Sequence, residues 1–343
     1  MKQLLNTLYV MTQGAYLTLD HETVKVEVSG KTQLQAPLHH LGALFTFGNV
    51  MMSPFLMHHC TESGKAVVFL DANGRFLARV VGKTTGNVLL RQAQFEAVRD
   101  TQKSASIAKS IVAAKLQNSR QILLRGAREA NDSGIETGLR QAATVLSDAI
   151  HSLKNSVTVD ETRGFEGLSA SAYFQVFDTM IKENRDTFIM KGRTRRPPRD
   201  PINAVLSFLY TLLLNDCVSA VEGVGLDPQM GFLHAVRPGR PALGLDLMEE
   251  LRSVLADRLA LTLINLRQIN GKDFEERTGG AVYLNDAGRK TVVVAYQKRK
   301  QEEFTHPLLE EKVPFGLVPH VQARLLARHL RGDMEAYIPV LYS

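Results

Sequence analysis

The chain changes texture near residue 86. Before that point it is made of short apolar runs separated by turn dipeptides; beyond it, long stretches rich in Ala, Leu, Gln, Lys and Arg take over. This switch constrains the fold more than any other feature, because a side-chain period of two and a period of 3.6 bury their apolar sides in different ways. In the first part, AYLTL and VKVEV flank DHET, which predicts a hairpin. AVVFL and RFLARVV flank DANG, where Asn73-Gly74 supplies the positive φ of a tight turn. Between these lies APLHHLGALFTFGN, read as a strand plus a short helical turn. The expectation is an α+β two-domain chain, with a β-sandwich-like N-terminal domain over residues 1–86 and a larger all-α domain over residues 87–343. The boundary falls at Gly82-Lys83-Thr84-Thr85-Gly86, with Asn87 as the cap of the first long helix.

Helical patterns run from Asn87 to about Glu129, then over Ile135–Leu153, Phe165–Glu183, Pro201–Glu222 and Asp246–Ile269. In GGAVYLNDAGRKTVVVAYQKRKQEE the three valines 292–294 favour a strand. Asn285 before a long charged run favours a helix from Asp286, and the helix is the reading adopted. AVLSFLYTLLL, Ala204 to Leu214, is too short to span a bilayer and predicts a buried helix. The apolar start MKQLLNTLYV is too brief for a signal peptide. Cys60 and Cys217 lie far apart and form no metal or redox motif, as expected of reduced thiols in a cytoplasmic protein.

A net charge of +6 leans towards an anionic partner, though it is diluted over 343 residues. Its placement is more telling. Arg91 to Arg128 holds eight Lys or Arg against two acids, and KGRTRRPPR, Lys191 to Arg199, holds five cations and no acid.

Two stretches carry candidate chemistry. In HAVRPGRPALGLDLMEELR a lone His234 precedes a Pro-, Gly- and Arg-rich loop leading to a helix with Asp246, Glu249 and Glu250. Residues three apart on a helix differ by about 60°, so Asp246 and Glu249 share a face, opposite Leu247, Met248, Leu251, Val254 and Leu255. Taken alone, these acids read as a solvated face favoured by the helix dipole. In GFEGLSASAYFQVF, Glu166 stands among small residues that let a helix or a ligand approach. A carboxylate buried there needs a positive partner, for which Arg163 and a divalent cation are the candidates.

GFEGLSASAYF, RRPPRDPINAVLSFLY, GLDPQMGFLH and LGLDLMEELR, in this order, resemble the CRISPR-associated adaptation endonuclease family, the spacer integrases. LNTLYV, the FGN segment and FLDANGRFLARV extend the resemblance over nearly the whole chain, and NVLLRQAQF looks most like the type I-C branch. The resemblance implies a metal held by three side chains: Glu166, His234 and Glu249, with Asp246 close to the metal or its waters. Glu250 receives no role and is read as solvated. Two carboxylates and an imidazole suit Mn2+ or Mg2+ in an open octahedral site. The implied reaction is phosphodiester transfer, in which a DNA 3′-hydroxyl attacks the CRISPR repeat and joins a short duplex in as a new spacer. With water as nucleophile the same site nicks DNA.

Lys191, Arg193, Arg195, Arg196 and Arg199 then read as a DNA-phosphate loop, since five cations without an acid repel one another unless an anion is present. Arg237 and Arg240 are placed to clamp a strand entering the site. Tyr210 matches a family tyrosine near the DNA end, with stacking on DNA set against burial in the core. Arg91 to Arg128 reads as an ordinary exposed helix surface. The family pattern also implies double-stranded DNA as partner, a homodimer through the N-terminal domains, and a small second core CRISPR-associated protein bridging two dimers. His39-His40 and His58-His59-Cys60 fit no usual zinc spacing. Two rival readings are a DNA-binding scaffold with no catalysis, and a metal-dependent nuclease acting on branched DNA in repair.

Overall fold

The structure, a computed structural model, describes residues 4–83 and 88–342; the expected boundary at residue 86 and the Asn87 cap lie outside the described residues. The strand-rich part comprises β1 (Asn6–Val10), β2 (Tyr16–Asp20), β3 (Thr23–Val28), β4 (Lys31–Pro37), β5 (Leu41–Phe47), β6 (Met51–Met52), helix α1 (Pro54–Glu62), β7 (Ala66–Leu70) and β8 (Phe76–Val80). These strands make two four-stranded sheets, ordered β1-β5-β7-β8 and β4-β3-β2-β6. Both expected hairpins form, β2 with β3 and β7 with β8, each antiparallel. Gly74 takes φ +83° at the second turn, and its missing side chain is what lets the turn lie against Phe208.

β5 is buried along almost its whole length because it has a core on each side. Leu41 and Leu44 point into a cluster shared with Leu17, Val24 and Val26 of the second sheet. Ala43, Phe45 and Phe47 alternate to the opposite side and join the core of the helical part. The first sheet therefore sits between two cores, and an ion pair between Arg79 and Glu222 at 2.6 Å adds a polar tie to the helices.

The rest is mainly helical: α2 (Val88–Arg99), α3 (Thr101–Arg128), α4 (Ser133–Leu153), α5 (Val159–Phe177), α6 (Pro201–Gly223), α7 (Ala242–Leu251) and α8 (Arg258–Asn265). The single helix expected from Asn87 to Glu129 is broken at Asp100, whose carboxylate accepts the N–H groups of Gln102 and Lys103 and starts α3 afresh. A π-helical turn over Arg252–Asp257 separates α7 from α8. The expectation of an all-α second part is corrected by two hairpins, β9 (Phe274–Arg277) with β10 (Ala281–Leu284), and β11 (Glu303–Thr305) with β12 (Lys312–Pro314). Between them α9 (Asp286–Gln301) forms as predicted, with Asn285 accepting from the Gly288 N–H; α10 (Val318–Leu330) follows.

α6 runs well beyond the apolar stretch that marked it. By length and composition it is long enough to cross a membrane, but 67% of its most apolar window is buried inside the protein, so its apolar surface is already covered. Of the cations of Arg91 to Arg128, Arg99, Lys103, Arg125 and Arg128 are exposed as expected, and Lys115 is buried. α3 is a core helix, with Ile107, Ala108, Ile111, Val112, Leu116 and Leu123 all buried, packed against α4, α5 and α7.

Candidate active site

The loop before α7 explains the GFLH pattern. Asp246 is fully buried and accepts four hydrogen bonds from one short segment: the N–H groups of Phe232 (2.6 Å), Leu233 (3.0 Å) and His234 (2.9 Å), and His234 Nδ1 at 2.7 Å. A side chain at residue 231 would strike Asp246 and Ala242, so glycine there lets the loop close on the helix. Donation from Nδ1–H to the carboxylate leaves His234 Nε2 with a free lone pair. The ring is 21% exposed, and Nε2 lies 3.8 Å from Glu249 Oε1. The oxygens of Asp246 are thus occupied in orienting His234 and its loop.

Glu166 projects from α5, which a capping box of Thr158 and Glu161 begins. Arg163 is not its partner. The guanidinium turns instead to Asp160 (2.5 Å) and to the Leu233 carbonyl (2.6 Å), tying α5 to the histidine loop. The cation on Glu166 is Lys115 of α3, whose ammonium also lies 2.7 Å from Glu249 Oε2. Lys115 is only 8% exposed and Glu249 3%. Burial pushes the Glu249 carboxyl up, but Arg252 at 3.0 Å and Lys115 more than offset this and hold it at about 2. Although Lys115 is within ionic reach, Glu249 Oε2 makes no hydrogen bond of good geometry. The short separation is what counts for the pair, because an ammonium–carboxylate attraction depends little on direction.

The three predicted ligands thus converge from α5, the histidine loop and α7. Among the described residues, no three His, Cys, Asp or Glu side chains form a ready-made metal cluster; Lys115 stands between the two carboxylates. The donor set nevertheless fits a hard divalent ion: two carboxylates, one Glu249 oxygen lacking a hydrogen bond, and an imidazole nitrogen left free by its Asp246 partner. A cavity of about 30 Å³ beside Glu166 is lined by Lys115, Ser169, Arg195, Arg252 and Asp257. Two larger clefts, of about 690 and 730 Å³, lie away from these side chains.

The π turn after α7 sends two further side chains towards the site, as such insertions do at functional positions. Arg252 reaches Glu249 and stacks 4.6 Å from the Tyr210 ring. Asp257 accepts from Tyr210 (2.5 Å) and Tyr173 (3.1 Å), and burial raises it to about 6 against the pull of Tyr210 and Arg252. Tyr210 is therefore not a free stacking platform. It is half-buried, held by Arg252, by Arg193 at 5.2 Å from its ring, and by Asp257.

Arg193 likewise leaves the basic loop and folds inward to Asn203 Oδ1 (2.6 Å) and the Thr194 carbonyl (2.5 Å). Lys191, Arg195, Arg196 and Arg199 are exposed, Arg199 donating to the Gly279 carbonyl at 2.6 Å; Arg237 is exposed and Arg240 half-buried. Glu250, read as solvated, is fully buried. It is held by Tyr337, by Gln322 and by the Val340 N–H (both 2.9 Å), and burial lifts it to about 7 against these hydrogen bonds. Lys115 was legible as an anomaly, since it falls on the stripe of Ile107, Ile111, Val112 and Ile122 that α3 buries. Arg252 and Asp257 gave no such signal, because an α-helical reading of 246–269 puts them near the face of Asp246 and Glu249, where charged residues read as one solvated surface.

A profile of the family described as CRISPR associated protein Cas1 matches residues 8–298. CRISPR-associated endonuclease Cas1 1 of Moorella thermoacetica is 56% identical over 339 residues, 99% of each chain. CRISPR-associated endonuclease Cas1 2 of Rhodospirillum rubrum is 51% identical over 347 residues, also 99% of each, and that of Chlorobaculum tepidum, Cas1 1, is 45% identical over 342 residues, 100% of each. Among solved structures, a CAS1 protein from Thermotoga maritima superposes with a TM-score of 0.82 at 24% identity, covering 97% of this chain and 99% of that one. A casposase bound to its integration product gives 0.83 at 22% identity, covering 99% and 95%. At these identities the structures speak for the fold: a strand-rich N-terminal region followed by a mainly helical one.

Proposed function

The chain belongs to the CRISPR-associated Cas1 family, and we propose that it is a metal-dependent DNA endonuclease and integrase that inserts short duplexes into a CRISPR repeat array. The observation that carries this reading is the convergence of Glu166 and Glu249 on one cation position, with the free nitrogen of His234 turned towards Glu249. Glu166, Glu249 and His234 Nε2 would hold Mn2+ or Mg2+. Bound there, such an ion supplies Lewis acidity to a phosphoryl oxygen and stabilises charge on the attacking and leaving oxygens. The residues of the chain do the rest. Asp246 fixes the His234 tautomer, Arg252 keeps Glu249 ionised, and Arg163 holds the histidine loop against α5.

In the transfer, the incoming 3′-hydroxyl gives up its proton as its oxygen bonds to phosphorus, and the repeat's own 3′-oxygen leaves and takes up a proton, so the exchange balances. One ester replaces another, so no energy source is needed. Lys191, Arg195, Arg196 and Arg199, with Arg237 and Arg240, supply sequence-independent phosphate contacts around the site. We assign the chain to the type I-C branch, place it in the cytoplasm, and read the two N-terminal sheets as a sandwich through which two copies pair, with a small second CRISPR-associated protein bridging two such pairs. A Cas6-RT-Cas1–Cas2 complex that superposes with a TM-score of 0.83 at 24% identity, covering 99% of this chain and 36% of that one, supports such an assembly by its fold and its name.

Glu166→Ala is the test. It should abolish cutting and integration with Mn2+ while duplex binding survives. Normal activity in that variant would remove catalysis from this site and leave Glu166 a helix-face charge. A preference for a four-way junction over a pre-spacer plus repeat target would favour the repair nuclease instead.

A further inference from the structure

Lys115 has no place in the metal-dependent reaction as described, yet it occupies the position where the two carboxylates meet. It rises from the middle of α3, flanked by buried Ala114, Leu116 and Ser119, and its ammonium is the only cation in contact with both Glu166 and Glu249 among the described residues. A lysine on so apolar a stripe costs several kcal/mol unless it is paired, so its position is set by those two acids. Glu166 and Glu249 carry two negative charges and are met by two positive ones, Lys115 and Arg252. A divalent ion entering between the two acids would stand against the Lys115 ammonium at short range. Arg252 cannot readily leave, being held by Glu249 and by the Tyr210 ring. Lys115 has a long flexible stem and, among the described residues, no ion-pair partner other than the two acids.

We propose that Lys115 is an internal competitor for the metal. It neutralises Glu166 and Glu249 in the metal-free protein and is displaced when a divalent ion enters. This inference rests on the metal-site reading above. It has a second consequence. The displaced ammonium is free to meet a DNA phosphate, so metal and DNA should each favour binding of the other, by the same factor in both directions.

The test is Mn2+ affinity by calorimetry and by manganese electron paramagnetic resonance, for the wild type, Lys115→Met and Lys115→Arg, each with and without a short blunt DNA duplex. Lys115→Met should bind Mn2+ about tenfold or more tightly than the wild type, as expected when a charge-assisted pair no longer has to be broken. Its metal affinity should respond less to DNA. Lys115→Arg, which keeps the charge, should show no such gain. Equal or weaker Mn2+ binding by Lys115→Met would overturn the proposal while leaving the metal site standing, and so would an equal gain in Lys115→Arg. Absence of Mn2+ binding in the wild type would overturn both. A readout on the unaltered protein covers the case in which Lys115→Met does not fold. Reductive methylation of Lys115, followed by mass spectrometry, should be slow in chelator and faster with Mn2+; the same rate in both would overturn the displacement.

Discussion

Glu249 and Glu250 are neighbours on one helix and end in opposite environments. Glu249 turns towards α3 and α5, where Arg252 and Lys115 hold it ionised at about 2. Glu250 turns towards the C-terminal segment, where Tyr337, Gln322 and the Val340 N–H satisfy it without any positive charge, and burial lifts it to about 7. Both are buried, so burial does not distinguish a chemical acid from a structural one. The sign of what surrounds it does. On α7 the side facing cations belongs to the site, and the side facing neutral donors is a clasp that holds the chain end.

The largest effect should come from exchanging the two acids for their amides. Glu249→Gln should lower Mn2+-dependent cutting and integration by about 10²–10³-fold or more. Glu250→Gln resembles the protonated acid, and should cost about 1–2 kcal/mol of stability with its chemistry largely kept. Equal loss of activity in both would erase the distinction between the two acids.

Stability against pH sharpens it. Asp257, also surrounded mainly by hydroxyls, is raised from 3.8 to about 6, so the folded state keeps a proton that the unfolded chain has lost. Its contribution is fully present below about pH 4 and disappears as pH rises through about 6. The stability difference between wild type and Asp257→Asn should fall by up to about 3 kcal/mol across that interval. Glu249 acts in the opposite sense: its contribution is present above pH 4.5 and is lost as pH falls towards 2. Denaturant titrations from pH 4 to 7 would expose the Asp257 effect, and a flat difference would remove Asp257 from the neutral-donor class.

Asp246→Asn should weaken Mn2+ binding about 10–100-fold, since Asp246 acts through the orientation of His234 and touches no ligand position directly. Calorimetry on the folded variant checks this. The smallest effect belongs to the exposed cations. Arg196→Ala should reduce the slope of log binding constant against log salt by about 1, the loss of one phosphate contact, whereas the inward-folded Arg193 should instead affect stability.

Much of the fold was legible because it depends on local pattern. The DHET and DANG hairpins, the Asn285 cap and the long helices follow from turn chemistry and periodicity within a few residues. The break at Asp100 and the helix α1, capped by Ser53, were missed although capping residues marked both. At the site, spacing alone placed Asp246 and Glu249 together on a solvated face. It took the ordered motifs of a known family to join them to His234 and Glu166. The distinct roles of Asp246, Glu249 and Glu250 could not be read, because their partners lie far along the chain: Lys115 on α3, the loop at 232–234, and Tyr337 and Val340 near its end.

The sequence by itself determined the order of strand-rich and helical regions, the family and the chemical types available to the site. Tertiary structure alone decided which acids are charged, which cation stands between them and which arginines and tyrosine are withdrawn from the surface. The physical reason is that a helix fixes only the direction in which each side chain leaves its own backbone. Desolvation and pairing depend on what other segments bring to meet it, and a pattern read over a few turns contains no record of that.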